Sequence, residues 1–247
     1  MLRTPLTIQE AAQPQPDSTA VAPVWHTACV LISLIVLSSF TMNWLVGGRI
    51  EQMHSRLPGY FLSMAKEWLI VGFIALAPRW RGASLRALIG KCPLSWRSIT
   101  RDLGLAVAYL IAANIVLETL GYFLAHFGHA AEDAALKNLL PHTFMENAVF
   151  LLLSLTAAIC EEIIFRGYLQ HQFTAWTGNA AMGIALQGIL FGVAHAYQGP
   201  TQILVIAVYG CMFGSLAYWR KSLRPGMIAH FLQDSVGVFL LARFAPK

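Results

Sequence analysis

Long apolar runs alternate with short polar stretches along most of this chain. Runs at roughly Trp25–Val46, 59–78, 103–125, 147–169, 180–197, 201–219 and 226–243 hold few charges. Each has about the 17–25 residues that an α-helix needs to cross the hydrocarbon of a bilayer. The pattern predicts an all-α fold, a multispanning transmembrane helical bundle of about seven spans (six to eight). Segment 59–78 is the weakest span because it carries Lys66 and Glu67. Residues 1–24 are polar and rich in Pro, Gln, Thr and Ala, which predicts a disordered cytoplasmic tail. The run Trp25–Val46 is too long for a signal-peptide core and lacks a small-residue cleavage site, so it reads as a retained span.

Composition strengthens the membrane reading. Of 247 residues, 57% are hydrophobic and only 12% charged, where soluble domains average about 25% charged. Mean hydropathy is +0.58. The net charge of +5 comes from cations near segment ends, where they set orientation and meet anionic headgroups. No basic stripe with interleaved aromatics is present, so lipid and not nucleic acid is the expected partner. Arg79, Arg81, Arg86, Lys91, Arg97 and Arg101 surround the connection between the second and third runs. Arg220, Lys221 and Arg224 surround that between the sixth and seventh. Seven spans put both loops on one side, which the cation bias makes cytoplasmic, with the N-terminus. Cys29, Cys92, Cys160 and Cys211 form no C-x-x-C pair and predict neither a disulfide framework nor a zinc knuckle.

Three polar insertions interrupt the last four runs. Glu161 and Glu162 precede Arg166, Phe191 precedes His195, and His230 precedes Asp234. Ionisable groups in lipid are costly and mark working sites. Spacing i, i+4 puts Glu162 and Arg166 on one helix face, where they can pair. Glu161 is rotated about 100° away and stays available, and a partly desolvated free carboxylate suits general-base work. Asp234, one turn from His230, can orient its ring. The bland alternative for each is a polar clamp, an interfacial histidine or a helix-surface pair. Lys66 and Glu67 are expected to snorkel or pair with other spans, and Glu118 to bond Asn114 one turn earlier.

In this order and spacing the three motifs resemble those of the CPBP intramembrane proteases, also called the CAAX prenyl protease or Abi family. The resemblance covers roughly 147–243. It implies a catalytic helical core in 147–247, preceded by N-terminal transmembrane helices and loops in 25–146, within one membrane domain. By motif, Glu161 and His195 would activate the attacking water, and His230 and Asp234 would stabilise the oxyanion or orient the substrate. Glu162 and Arg166 would support them, with Phe191 beside His195. The prenyl-protease branch often has Asn where Asp234 stands. An Asp serves an oxyanion only when protonated or acting through His230. The family is described both as glutamate-type and as metal-dependent; a divalent metal such as zinc would draw its ligands from Glu161, His195 and His230.

The resulting expectation is an intramembrane endopeptidase of the plasma (inner) membrane, acting on membrane-associated or lipidated substrates, prenylated CAAX-type proteins among them. The entrance is expected on the cytoplasmic side, towards which Arg166 and His230 lie. Alternatives are a proton-coupled transporter and a non-catalytic membrane protein for binding or immunity. One geometric difficulty stands out: His195 ends its span while His230 begins one running the same way. Straight helices would leave them about 15 Å apart in depth. Convergence requires tilt, stagger or a broken segment, for which Gly188, Gly192, Gly199, Pro200 and Gly226 are candidates.

Overall fold

The computed structural model describes residues 20–46, 55–77, 84–127 and 139–244, with side chains outside 39–46 and 238–244. Helices α1 (Val24–Val46), α2 (Leu57–Ile74), α3 (Leu85–Ile89), α4 (Trp96–His126) and α5 (Phe144–Glu161) follow in order. Helix α5 runs on through a π-helical stretch, Glu162–Leu169, into α6 (Gln170–Thr177). Then come α7 (Ala180–Ala194), a 3₁₀ turn (Ala196–Gln198), α8 (Pro200–Arg220) and α9 (Arg224–Phe244). Every expected apolar run falls on a helix. Among the described residues there is no strand, only an isolated bridge between Gly90 and Ser222. Three helical stretches, Trp96–His126, Phe144–Thr177 and Pro200–Arg220, are long and apolar enough to cross a membrane. Val24–Ser38 and Ala180–Ala194 are shorter apolar helices. The protein is an integral membrane protein with an all-helical fold.

Local chemistry explains several boundaries. Thr143 caps α5 by accepting from the Glu146 backbone N–H, while Glu146 reaches back, a reciprocal capping box. Glu146 also accepts from the Arg56 backbone N–H at 2.8 Å, which ties the start of α2 to the start of α5. This helix therefore begins at Phe144, three residues before the apolar run suggests, and continues past 169 to Thr177. Gly199 turns the chain into α8 with φ of 98°, a left-handed value suited to glycine, and Pro200 occupies the first turn.

The expected tail needs a shorter boundary. Val21 and Ala22 are buried, and Gln172 grips the Ala22 backbone, accepting its N–H at 3.1 Å and donating to its carbonyl at 2.7 Å. Residues 1–19 lie outside the described residues. Within α1, His26 donates Nε2–H to the Phe73 carbonyl at 3.2 Å and accepts from the Tyr168 hydroxyl at 2.7 Å.

The two cation-rich connections touch. Lys91 donates its backbone N–H to Lys221 at 3.2 Å, and Leu223 to Ile89 at 2.9 Å. Asp102 of α4, almost fully buried, accepts from Arg220 at 2.9 Å and from Arg224 Nε at 2.8 Å. Arg224 also reaches Ser98 at 2.6 Å and the Pro93 carbonyl at 2.8 Å. These bonds put both basic loops on one face of the bundle, as the charge pattern predicts, and fix the start of α9 there.

Candidate active site

The acidic motif occupies the centre of the molecule. All eight residues of the π stretch, Glu162–Leu169, are buried, whichever way their side chains point. A π stretch within an α-helix widens one turn and shifts the faces that follow, and such segments are frequent at functional sites. Despite the wider turn, Arg166 Nη1 meets Glu162 at 3.0 Å, with both side chains fully buried. The guanidinium lies 4.2 Å from the Phe191 ring centre and 4.8 Å from that of Phe213, a cation–π sandwich. Its Nη2 donates to the Gly210 carbonyl at 3.4 Å, which Gln187 also reaches at 2.8 Å.

That carbonyl is accessible because α7 and α8 pack backbone to backbone. A Cβ at Gly210 would stand 2.9 Å from Gly188 Cα, so both positions need the smallest residue. A similar limit holds on α9, where a Cβ at Gly226 would come within 2.8 Å of Glu162. Gly226 lets α9 approach until the His230 ring reaches the acidic pair.

His230 is the meeting point. Its Nδ1 is 3.5 Å from Glu162 Oε1, and its Nε2 is 3.7 Å from both Glu161 Oε2 and Asp234 Oδ2. These are ion-pair separations, and His230 Nδ1 and Glu161 Oε2 have no hydrogen-bond partner among protein atoms. The ring thus stands among three carboxylates with small movements open to it.

His195 occupies the C-cap of α7. Its Nδ1–H donates to the Phe191 carbonyl at 2.8 Å, which leaves Nε2 as a lone-pair acceptor. Phe191 links the histidines: its ring centre is 4.7 Å from that of His195 and 6.1 Å from that of His230. The depth difficulty is resolved by this spacing. His230 lies level with Phe191, and His195 is one turn further from the basic loops. Helix α7 is short, at 15 residues, and the glycine contacts bring it close to α8.

Glu161, His195, His230 and Asp234 line one cavity of about 560 Å³. The motifs therefore converge as their order suggested. One expectation is narrowed and one needs correction. Of the two fates expected for Glu67, snorkelling is set aside: it is 6% exposed and lines this cavity with residues of other helices. Asn114 donates to the Leu110 carbonyl at 2.8 Å and approaches Gln233 at 3.5 Å, and it forms no bond with Glu118. The signal for Glu67 in the sequence is a carboxylate within an apolar run, with no motif partner beside it.

The cavity extends well beyond the motif residues. On α2 it is lined by Tyr60, Ser63, Glu67 and Ile70, and it takes in Gln198 of the 3₁₀ turn and Gln202 at the start of α8. These residues lie on the side of His230 away from the basic loops. As for a metal, no three His, Cys, Asp or Glu side chains among the described residues stand where they could hold an ion, so Glu161, His195 and His230 as placed do not fit a three-ligand site.

Comparison with known proteins agrees with the motifs. Residues 143–236 match the family described as "Type II CAAX prenyl endopeptidase Rce1-like". A relative, "Uncharacterized protein YpbD" of Bacillus subtilis (strain 168), is 27% identical over 142 residues, covering 57% of this chain and 67% of that protein. No solved structure matches.

Proposed function

We propose, from the kinship of residues 143–236 with the type II CAAX prenyl endopeptidases, that the protein is an intramembrane endopeptidase. It hydrolyses peptide bonds of membrane-associated proteins with water activated inside the cavity. One observation carries this reading: Glu161 and Asp234 flank His230 at 3.7 Å on the wall of a cavity shared with His195.

The steps follow from the placement. Water attacks the scissile carbonyl carbon as Glu161 or His195 Nε2 accepts its proton, so a C–O bond forms and the carbonyl oxygen becomes an oxyanion. An N–H on His230 Nε2 stabilises that oxygen, with Glu162 at Nδ1 orienting the ring and Asp234 orienting the substrate. Collapse breaks the C–N bond, and the proton taken from water passes to the leaving amine. Glu162 and Arg166 hold His230 from behind. The site's burial restricts turnover to substrates that partition into the bilayer. Prenylated CAAX-type proteins are one such class. About seven spans, a plasma (inner) membrane setting and a cytoplasmic N-terminus complete the reading.

The test is Glu161→Gln in proteoliposomes, assayed on prenylated and non-prenylated fluorogenic peptides. Wild type should cleave at least one probe, and the variant should lose about 10²–10⁴-fold in kcat with its melting temperature retained. Full activity in the variant would refute the assignment of Glu161. A wild type that moves protons but cuts nothing would favour the transporter.

A further inference from the structure

Glu67 lies on α2, outside the stretch that matches the protease family. Its side chain is more than nine-tenths buried, and its Oε2 has no hydrogen-bond partner among protein atoms. Glu161 Oε2, on the facing helix α5, is in the same condition. Both residues line the one cavity. A buried carboxylate oxygen without a donor is costly, because it has given up its bonds to water and gained none in return. A single water, with two O–H donors, can serve two such oxygens on facing walls of one cavity.

We propose that Glu67 is a positioning residue of this site, which holds, through a shared water, the carboxylate of Glu161 and the water that attacks. The inference deepens the protease reading and rests on it for its kinetic consequence. With one O–H directed to each acid, the water presents its lone pairs to the substrate carbonyl. Glu67 fixes that orientation from the opposite wall, and Glu161 takes the proton. Without Glu67 the water can rotate, and the attacking lone pair is aligned for a smaller share of the time.

Infrared difference spectra of wild type, Glu67→Gln, Glu67→Asp and Glu161→Gln in proteoliposomes test this without turnover. Each carboxyl band is assigned by its loss in the corresponding variant. The Glu161 band should shift in both Glu67 variants, the Glu67 band should shift in Glu161→Gln, and one water O–H band, identified with H₂¹⁸O, should vanish in Glu67→Gln and Glu161→Gln and move in Glu67→Asp. A Glu161 band unmoved by either Glu67 variant overturns the proposal, whether or not the protein cleaves anything. On the probe peptide that wild type cleaves, Glu67→Gln should lower kcat about tenfold to a hundredfold with KM within about twofold. Glu67→Asp should recover part of the loss. A raised KM with unchanged kcat would overturn the proposal. Should Glu67→Gln fail to fold, Glu67→Asp carries both measurements. An inert wild type would remove the protease reading and leave the infrared result standing.

Discussion

At the scale of the residue, Arg166 is held on several sides at once. It is fully buried, paired with Glu162 at 3.0 Å and stacked between Phe191 and Phe213. Removing one partner of a buried pair costs about 3–5 kcal/mol, because the other charge stays buried alone. Arg166→Met should therefore lower the melting temperature in detergent sharply, and Glu162→Gln in the same chain should restore much of it. A double variant as unstable as the single would show that the guanidinium acts through its ring contacts and not the ion pair. This pair was legible in the sequence because four-residue spacing survives modest changes of helical pitch. The His230–Asp234 relation was legible for the same reason. Glu67 was not, since its partner belongs to another helix and no local spacing reports it.

At the scale of the element, the start of α9 decides where His230 stands. Arg224 spends its guanidinium on Asp102, Ser98 and the Pro93 carbonyl, and Arg220 joins it on Asp102. Asp102→Asn keeps the shape and removes the charge. It should cost about 2–4 kcal/mol, expose the 221–223 turn to proteolysis and reduce cleavage without touching a cavity residue. Unchanged proteolysis and activity would mean that α9 is held by its apolar packing alone. A second case is Gly188→Val, whose side chain would force α7 away from α8. A loss of about 1–3 kcal/mol is expected for such overpacking, measured by thermal unfolding. Helix existence was plain from apolar run length. The π stretch was not, because Glu162–Leu169 contains no proline, and its glycine, Gly167, does not tell a π turn from an α turn. Burial on all sides marks it as a product of tertiary packing.

At the scale of the whole molecule, two features oppose each other. The basic loops gather on one face through the Gly90–Ser222 bridge, while the cavity runs from His230 toward the other face and reaches Gln202. If cations face the cytoplasm, water reaches the site from the opposite leaflet or laterally. In a cysteine-free background, Lys221→Cys should react with an impermeant maleimide only from the cytoplasmic side, and Gln202→Cys only from the other. Labelling Gln202→Cys should also block cleavage. Reaction of both positions from a single side would refute this arrangement.

Apolar run length and cation placement determined by themselves that the chain is a helical membrane protein with both basic loops on one face, because bilayer thickness and headgroup charge act on local sequence. Motif spacing likewise determined which ionisable pairs share a helix. Only the tertiary structure decided that Phe191 brings the two histidines together, that Glu67 joins them on the cavity wall and that the cavity extends from His230 to Gln202. Those outcomes depend on how closely helices approach, and approach is set by glycine contacts and buried pairs between residues far apart in the chain.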